Sequence, residues 1–318
     1  ILTLVENWEG SFKKTSFEAL AYGKQMATKL GGKSIVLTFG STNPESLRAY
    51  GADKILNISK LKFENISNIT IAKISADLIN QEEVSNIIIS NTNTGKAVAP
   101  LLAQLLNAGL ISNALSYPEN YNPLIVKCKA FSSKAYAKYE SNYKKNIISI
   151  LPNSIGKTPK NEGDGEIINT DVNTEHTNSK LKIIDRNKLT GKISLSDAEI
   201  VVSAGRGLKS PDNWKMIEEL AEVLGAGIAC SKPVSDMGWR PHSEHVGQTG
   251  LAINPELYIA IGISGAIQHL AGVSGSKNIV VINIDPEAPF FKAANYGIIG
   301  DAFIVIPKLI NEIKKYNN

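Results

Sequence analysis

Short apolar runs with the length of buried strands alternate with segments of helical periodicity along the first part of the chain. The predicted strands are Ile1–Val5, Ser34–Phe39, Lys54–Ile58 and Asn86–Ser90. The predicted helices are Ser16–Leu30, Ile69–Ile79 and Gly95–Asn107. Because parallel strands need long crossover connections, this alternation predicts an α/β domain with a parallel sheet.

The pattern changes over residues 124–187, where predicted strands follow one another with few helical segments between them. These strands are Leu124–Ala130, Ala135–Tyr139, Ile147–Leu151 and Leu181–Arg186. Pro152–Gly165 collects Pro, Gly, Asn and Lys and is predicted to be a loop. The polar stretch Gly191–Asp197 precedes a new apolar strand, so we predict a domain boundary there and an N-terminal α/β domain over residues 1–192.

The second predicted domain, residues 193–318, returns to alternating strands and helices. Its predicted strands are Glu199–Ser203, Ala226–Cys230, Glu256–Ile263, Asn278–Ile284 and Ala302–Ile306. Its predicted helices are Pro211–Gly225 and Gly265–Gly272. The first of these has proline in its opening turn and one apolar stripe, as a helix that packs on a sheet requires. We therefore expect two α/β domains, the C-terminal one with a doubly wound parallel sheet.

Composition and charge exclude several classes of protein. The 318 residues carry a formal charge of +4 with scattered basic residues, so we predict no nucleic-acid-binding face. Cys128 and Cys230 lie far apart, which excludes a disulfide framework or a thiolate zinc site and fits a reducing compartment. The most apolar stretches have strand length, so no membrane insertion is expected. His242, Glu244 and His245 lie in a Pro-rich, non-helical stretch without a convincing further ligand, so no metal is expected.

Two glycine-containing segments of the second domain could bind a ligand. Ser203–Gly207 comes directly after a predicted strand, where glycines let the backbone approach a ligand and Arg206 offers a cation for phosphate. The alternative is a tight turn with a surface arginine, because the GxGxxG fingerprint is absent. Val246–Gly250 brackets an amide and a hydroxyl, which can donate to and accept from a ring edge. It could equally be a polar turn.

Two further segments follow predicted strands. In Ile263–Leu270, small residues at a strand-to-helix turn leave N–H groups that favour an anion, and His269 could reach the same cleft. A satisfied structural histidine is the alternative. In Asn283–Pro289, Asn283 and Asp285 lie at another strand end, although an ordinary surface loop would look the same. Ligands of open α/β sheets gather at such carboxyl ends, so the four segments predict one cleft.

Together these segments resemble the electron transfer flavoprotein α subunits. The resemblance covers roughly Glu199 to Asp301 and rests on the strings VVSAGRGLKS, VGQTG, PELYIAIGISGAIQHLAG and NIDPEAPFF in this order. The string VENWEGSFKKTSFEAL fits the same family more loosely in the N-terminal part. The resemblance implies that the C-terminal domain binds FAD.

The resemblance also implies which residues surround the flavin. Those implied to lie around the isoalloxazine ring are Ser231, Lys232, Val246, Gly247, Gln248 and Thr249, with the Thr249 hydroxyl near the reactive nitrogen. Those implied to hold the ribityl chain, the pyrophosphate and the adenosine are Arg206, Ser264, Gly265, Ala266, Ile267, Gln268, His269, Asn283 and Asp301. Of these, Arg206 would also lie along the flavin, and His269 would reach the carbonyl edge of the pyrimidine ring.

Lys232 departs from the family, which usually has arginine at this position. Lysine keeps the positive charge but loses the planar fork and its stacking surface. A cation beside the pyrimidine edge favours the negative charge that reduction places on a flavin. We therefore expect Lys232 to retain part of this stabilisation.

The family's function follows from the same resemblance. It implies a heterodimer with the electron transfer flavoprotein β subunit, one FAD per heterodimer, and an electron carrier rather than an enzyme. Electrons would come from acyl-CoA dehydrogenases in fatty acid β-oxidation, or from related flavin dehydrogenases. They would leave towards a membrane quinone oxidoreductase. The expected compartment is the bacterial cytoplasm, or the mitochondrial matrix in a eukaryote.

Two alternatives remain open at this point. One is an electron-bifurcating or nitrogen-fixation-type member of the family, whose second FAD would be on the β subunit. The other is an NAD-dependent dehydrogenase. That class would need a phosphate-binding fingerprint and a catalytic acid–base, and the sequence shows neither.

Overall fold

The structure is a computed structural model that describes residues 1–131, 135–156, 160, 163–172, 184, 193–196 and 198–317. The chain divides into two compact units, one of residues 1–129 and 136–188 and the other of residues 130–135 and 189–318. The boundary after residue 192 stays a prediction. The predicted strand Leu181–Arg186 lies outside the described residues except for Ile184. Within the described part of the chain, no helix combines the length and apolar character needed to cross a membrane.

The first unit is built on a ten-stranded sheet with a small hairpin beside it. The strands of this unit are β1 (Leu2–Leu4), β2 (Asn7–Trp8), β3 (Ser11–Phe12), β4 (Ile35–Phe39), β5 (Lys54–Ile58), β6 (Asn86–Ser90), β7 (Gly109–Ala114), β8 (Asn120–Tyr121), β9 (Leu124–Ala130), β10 (Ala135–Ser141), β11 (Asn146–Ile150) and β12 (Glu166–Asn169). Its helices are α1 (Lys14–Leu30), α2 (Asn68–Gln81) and α3 (Asn93–Leu106). The three predicted helices therefore lie within two residues of the observed ends.

The sheet order of the first unit is β10-β9-β7-β11-β6-β1-β4-β5-β12, and β8 pairs with β9. Strand β1 runs parallel to both β4 and β6, whereas β7 and β9 are antiparallel. Alternate residues of β6 enter different cores because successive side chains point to opposite faces of a sheet. Ile87 and Ile89 share a core with Ile71 of α2 and Val98 of α3. Ile88 packs with Tyr22 of α1 instead, so helices cover both faces.

The second unit contains a five-stranded sheet in which every observed pairing is parallel. Its strands are β13 (Ile200–Ala204), β14 (Gly227–Cys230), β15 (Leu257–Ile261), β16 (Asn278–Asn283) and β17 (Tyr296–Ile299). Its helices are α4 (Lys215–Leu224), α5 (Lys232–Asp236), α6 (Ile267–Val273) and α7 (Ala302–Asn317). The strand order is β14-β13-β15-β16-β17, so the chain winds to one side of β13 and then to the other.

Helices cover both faces of this second sheet. Val202 of β13 shares a core with Ile217 of α4 and Ile306 of α7. The neighbouring Val201 faces the other way and packs with Val273 of α6. The predicted doubly wound parallel sheet is therefore confirmed. In such a sheet, the connections after the two strands that flank the change of direction lead to helices on opposite faces, which leaves a crevice between them. Here these are the loops after β13 and β15.

The predicted strand Ala302–Ile306 is wrong, because these residues begin helix α7. The five apolar residues resemble a strand when they are considered alone. Burial of Ala302, Ile306 and Ile310 has the spacing of a helix, and the Asp301 carboxylate accepts a hydrogen bond from the Phe303 N–H at 3.0 Å. The last strand of the sheet is instead β17.

Candidate functional site

A cleft of about 470 Å³ lies where β13, β14, β15 and β16 end, which is the crevice expected from the strand order. Its volume is typical of a small-molecule site. The cleft is lined by residues from the loops after all four strands. The predicted site residues that line it are Arg206, Ser231, Lys232, Val246, Gly247, Gln248, Thr249, Ser264, Ala266, Gln268, His269 and Asn283.

Three predicted site residues do not line this cleft: Gly265, Ile267 and Asp301. A Cβ atom on Gly265 would lie 2.5 Å from Phe290 Cβ, so this residue faces the loop after β16. Ile267 is 64% exposed. Asp301 caps α7 as described above. The structure therefore brings twelve of the fifteen predicted site residues together at one cleft, and all fifteen stay predictions as cofactor contacts.

The loops after β13 and β15 approach each other through two glycines. A Cβ atom on Gly207 would lie 2.7 Å from the Cα atom of Gly262. Gly262 also has φ +59°, a left-handed conformation that favours glycine. The Gly207 N–H donates to the Gly262 carbonyl at 3.1 Å, which joins the two loops. Gly207 and Gly262 both line the cleft, and we call their contact the floor of the cleft. Arg206 is exposed beside it.

Backbone hydrogen bonds hold the segment Val246–Thr249 along one wall of the cleft. The Val246 N–H donates to the Cys230 carbonyl at 3.1 Å, which ties the segment to the end of β14. The Gln248 N–H donates to the Gln268 carbonyl at 2.7 Å, which ties it to the first turn of α6. Gln248 and Thr249 remain exposed, so their amide and hydroxyl groups are available to a ligand.

The loop after β14 contributes charge. Lys232 begins α5, and its Nζ atom lies 3.3 Å from Asp236 Oδ1 one turn later. Both side chains are more than half exposed, at 56% and 55%. An ion pair this exposed contributes little to stability, so the ammonium can turn towards a ligand at small cost. Asp236 lines the same cleft and places a carboxylate near this cation.

Two buried histidines border the cleft. The Nε2 atom of His269 lies 2.8 Å from the Tyr258 hydroxyl. Burial, and then the nearby His245, lower the pKa of His269 to about 4. Burial is also the main cause that lowers the pKa of His245, followed by His242 and Lys232, while Asp236 opposes them. Both imidazoles are therefore neutral at pH 7.

The buried polar atoms of the cleft fit a heterocyclic ligand. Among the described residues, neither His245 Nδ1 nor His269 Nδ1 has a hydrogen-bond partner, and both atoms are buried. Such orphaned atoms are costly unless a ligand or water satisfies them. The amides, hydroxyls and two cations of the lining can complement the polar edge of a flavin and its phosphates. The residues present therefore fit FAD.

Four lining residues that were not predicted as flavin contacts lie outside the predicted segments: Pro233, Asp236, His245 and Gly262. Three others, Gly207, Ile263 and Asp285, lie within predicted segments but were not predicted as flavin contacts. Extending the segments Val246–Gly250 and Ile263–Leu270 by one residue at their N-terminal ends would include His245 and Gly262. Asp236 was missed because it reaches the cleft through one turn of α5, and a short helix there was not predicted. No group of three or more His, Cys, Asp or Glu in the described residues could hold a metal ion.

The capping role of Asp301 is testable apart from any cofactor contact. Replacement by alanine is expected to lower the free energy of unfolding by about 1 kcal/mol, because the helix loses its capping acceptor. Asp301→Asn should retain most of this stability, since asparagine caps as well as aspartate. Urea denaturation of the original chain and of the two variants measures both losses of unfolding free energy. Equal losses in both variants would contradict the capping role.

Two family models match this chain. The family model described as "Electron transfer flavoprotein domain" matches residues 1–175, and the one described as "Electron transfer flavoprotein FAD-binding domain" matches residues 194–274. The chain is 35% identical to "Electron transfer flavoprotein subunit alpha" of Bacillus subtilis (strain 168), over 100% of this chain and 98% of that protein.

Two further relatives have different names. "Protein FixB" of Clostridium saccharobutylicum is 32% identical over 99% of this chain and 96% of that protein. "Lactate dehydrogenase (NAD(+),ferredoxin) subunit LctC" of Acetobacterium woodii is 29% identical over 100% of this chain and 78% of that protein. The domain matches and the full-length identity of 35% place the chain in one family. The chain belongs to the electron transfer flavoprotein α-subunit family.

Proposed function

We propose that this chain is the α subunit of a heterodimeric electron carrier and holds one FAD in the cleft at the carboxyl ends of β13–β16. The observation that carries the proposal is the cleft itself, which brings most of the predicted flavin contacts together. The match of residues 194–274 to a FAD-binding domain supports flavin as the ligand. The cofactor supplies the redox chemistry, and the protein supplies binding, orientation and electrostatics.

Each wall of the cleft has its own part in this proposal. Gln248 and Thr249 would hydrogen-bond the polar edge of the isoalloxazine ring, because both groups donate and accept. His269 lines the cleft and would remain neutral beside the ring. Arg206 would face the negative pyrophosphate with its planar fork. With no acid–base chemistry required, a carrier needs no proton-abstracting residue in the cleft.

The partners of the proposed carrier follow from its family. A β subunit would complete the heterodimer. Acyl-CoA dehydrogenases and related flavin dehydrogenases would supply electrons, and a membrane quinone oxidoreductase would receive them. The test is to co-express the chain with its β subunit, count flavin per purified heterodimer, and add a reduced acyl-CoA dehydrogenase. We expect one FAD per heterodimer that is bleached by the dehydrogenase. A complex that binds no flavin would contradict the proposal.

A bifurcating role is the second candidate, because the name of one relative, LctC, includes both NAD(+) and ferredoxin. The same preparation separates the two functions. A simple carrier contains one FAD and is not reduced by NADH. A bifurcating member contains a second FAD and is reduced by NADH, which would overturn the simple carrier and favour this alternative.

Lys232 is expected to raise the reduction potential of the bound flavin. A unit charge about 4 Å from another in a water-like medium contributes about 1 kcal/mol, which corresponds to roughly 40 mV. Lys232→Gln should therefore lower the potential by about this amount, measured by redox titration with indicator dyes. Lys232→Arg keeps the charge and should keep the potential at or above its original value. Equal potentials in the Gln and Arg variants would contradict a role for this cation.

A further inference from the structure

A buried ion pair, Arg240 with Glu244, lies next to the segment Val246–Thr249 that forms one wall of the cleft. Neither residue of the pair lines the cleft. Arg240 Nε donates to Glu244 Oε2 at 2.6 Å, and Nη2 donates to Glu244 Oε1 at 3.0 Å. The side chains are 13% and 8% exposed. This is the bidentate geometry in which arginine recognises a carboxylate most strongly.

The guanidinium is fixed from two further sides. Its Nη1 atom donates to Glu218 Oε1 of α4 at 2.7 Å, and its carbon lies 5.0 Å from the centre of the Trp214 ring. Trp214 is buried in the core that also contains Cys230. Arg240 is therefore held against helix α4 and the core of the second unit. The Glu244 carboxylate that it binds is held there as well.

The anchored carboxylate belongs to the residue just before the cleft wall. Glu244 is followed by His245 and then by Val246–Thr249. It also lies near the Cys230 thiol, whose pKa is raised to about 12 by burial first and then by the Glu244 charge. The wall is thus joined to the end of β14 by the Val246 N–H bond to Cys230, and the Glu244 carboxylate lies near the same strand end.

We infer that Arg240 is a positioning residue for the flavin, because its pair with Glu244 fixes the segment His245–Thr249 that forms the cleft wall. The inference rests on the proposed function. Without the guanidinium, Glu244 would be a buried charge that has lost its opposite charge, and such a group is strongly unfavourable. The segment would relax towards solvent to hydrate it, and the wall would lose its fixed geometry.

Arg240→Met in the full chain with its β subunit tests the inference, because methionine retains the aliphatic bulk without the charge. We expect FAD to bind at least about tenfold more weakly and the visible circular dichroism of bound flavin to change, since the buried pair is broken. Adding Glu244→Gln removes the carboxylate that the guanidinium bound and should recover at least about threefold of the lost affinity. A flavin affinity and flavin spectrum equal to those of the original chain would overturn the inference.

Two further variants keep the result interpretable. Glu219 is on the same helix as Glu218, and Glu219→Gln breaks its exposed pair with Lys314 of α7. This variant is expected to leave the affinity within about twofold. If Arg240→Met does not fold, Arg240→Lys keeps the charge but not the fork, and should still alter the flavin spectrum. An unchanged spectrum in Arg240→Lys would then overturn the inference. An original complex without flavin would overturn the proposed function, and this inference with it.

Discussion

Gly262→Ala is expected to weaken FAD binding more than tenfold and to lower the free energy of unfolding by about 2–4 kcal/mol. The new Cβ atom would lie 2.9 Å from the Gly207 Cα atom, and φ at this position is +59°. Strain and backbone overlap therefore act together. The two loops must separate, and the floor of the cleft moves with them. Flavin fluorescence titration and urea denaturation measure the two effects.

Gly225→Ala is the matched control for this variant. Gly225 ends α4 with φ +60°, almost the same backbone conformation, but nothing lies within 4 Å of its added Cβ atom. It should lose about 1 kcal/mol from the left-handed conformation alone and bind FAD with unchanged affinity. If the two variants bound FAD equally well, the contact between the loops would not determine the shape of the cleft.

The flavin-free complex is expected to lose stability as the pH falls from about 6.5 to about 4, in part because of His269. Its pKa is about 4 in the folded chain, because of burial first and then His245, compared with 6.5 for an unperturbed histidine. The unfolded chain therefore binds more protons over this range. Stability that is present above pH 6.5 is lost as the pH falls, by up to roughly 3 kcal/mol.

His269→Gln should flatten this pH dependence, because glutamine does not titrate. The measurement is the free energy of unfolding at several pH values between 7 and 4 for both proteins. Tyr258→Phe removes the 2.8 Å hydrogen-bond partner but leaves the imidazole buried, so it should retain most of the slope. The same slope in His269→Gln and in the original chain would contradict the assignment.

The sequence predicted the parallel core well, because buried strands in such sheets are apolar on both faces. Asn86–Ser90 was predicted with its observed bounds, and its residues enter cores on both sides of the sheet. The edge strands β12 and β17 were missed. Every residue of β17 is exposed, and β12 is exposed at both ends, so neither has a buried face to produce a pattern. Ala302–Ile306 was wrongly predicted to be a strand, because an apolar run of this length is too short to show helical spacing.

The candidate site was predicted as segments rather than as contacts. The position of His269 at the cleft follows from a strand-to-helix turn, which can be recognised along the chain. That Gly265 faces Phe290 could not be predicted, because it depends on how the loop after β16 packs. The pair between Arg240 and Glu244 has helical spacing in the sequence, but its importance depends on Trp214 and on burial. Such contacts are set by tertiary packing.

Hydrogen exchange of the co-purified heterodimer, with FAD bound and after its removal, would locate the cofactor on this chain. Slower exchange with FAD is expected in the backbone amides of residues 205–209, 231–236, 245–250 and 262–269, which surround the cleft. The strands of the first unit should exchange equally in both states. Protection by FAD that is absent from these four segments and appears elsewhere on the chain would contradict a flavin site at the carboxyl ends of β13–β16.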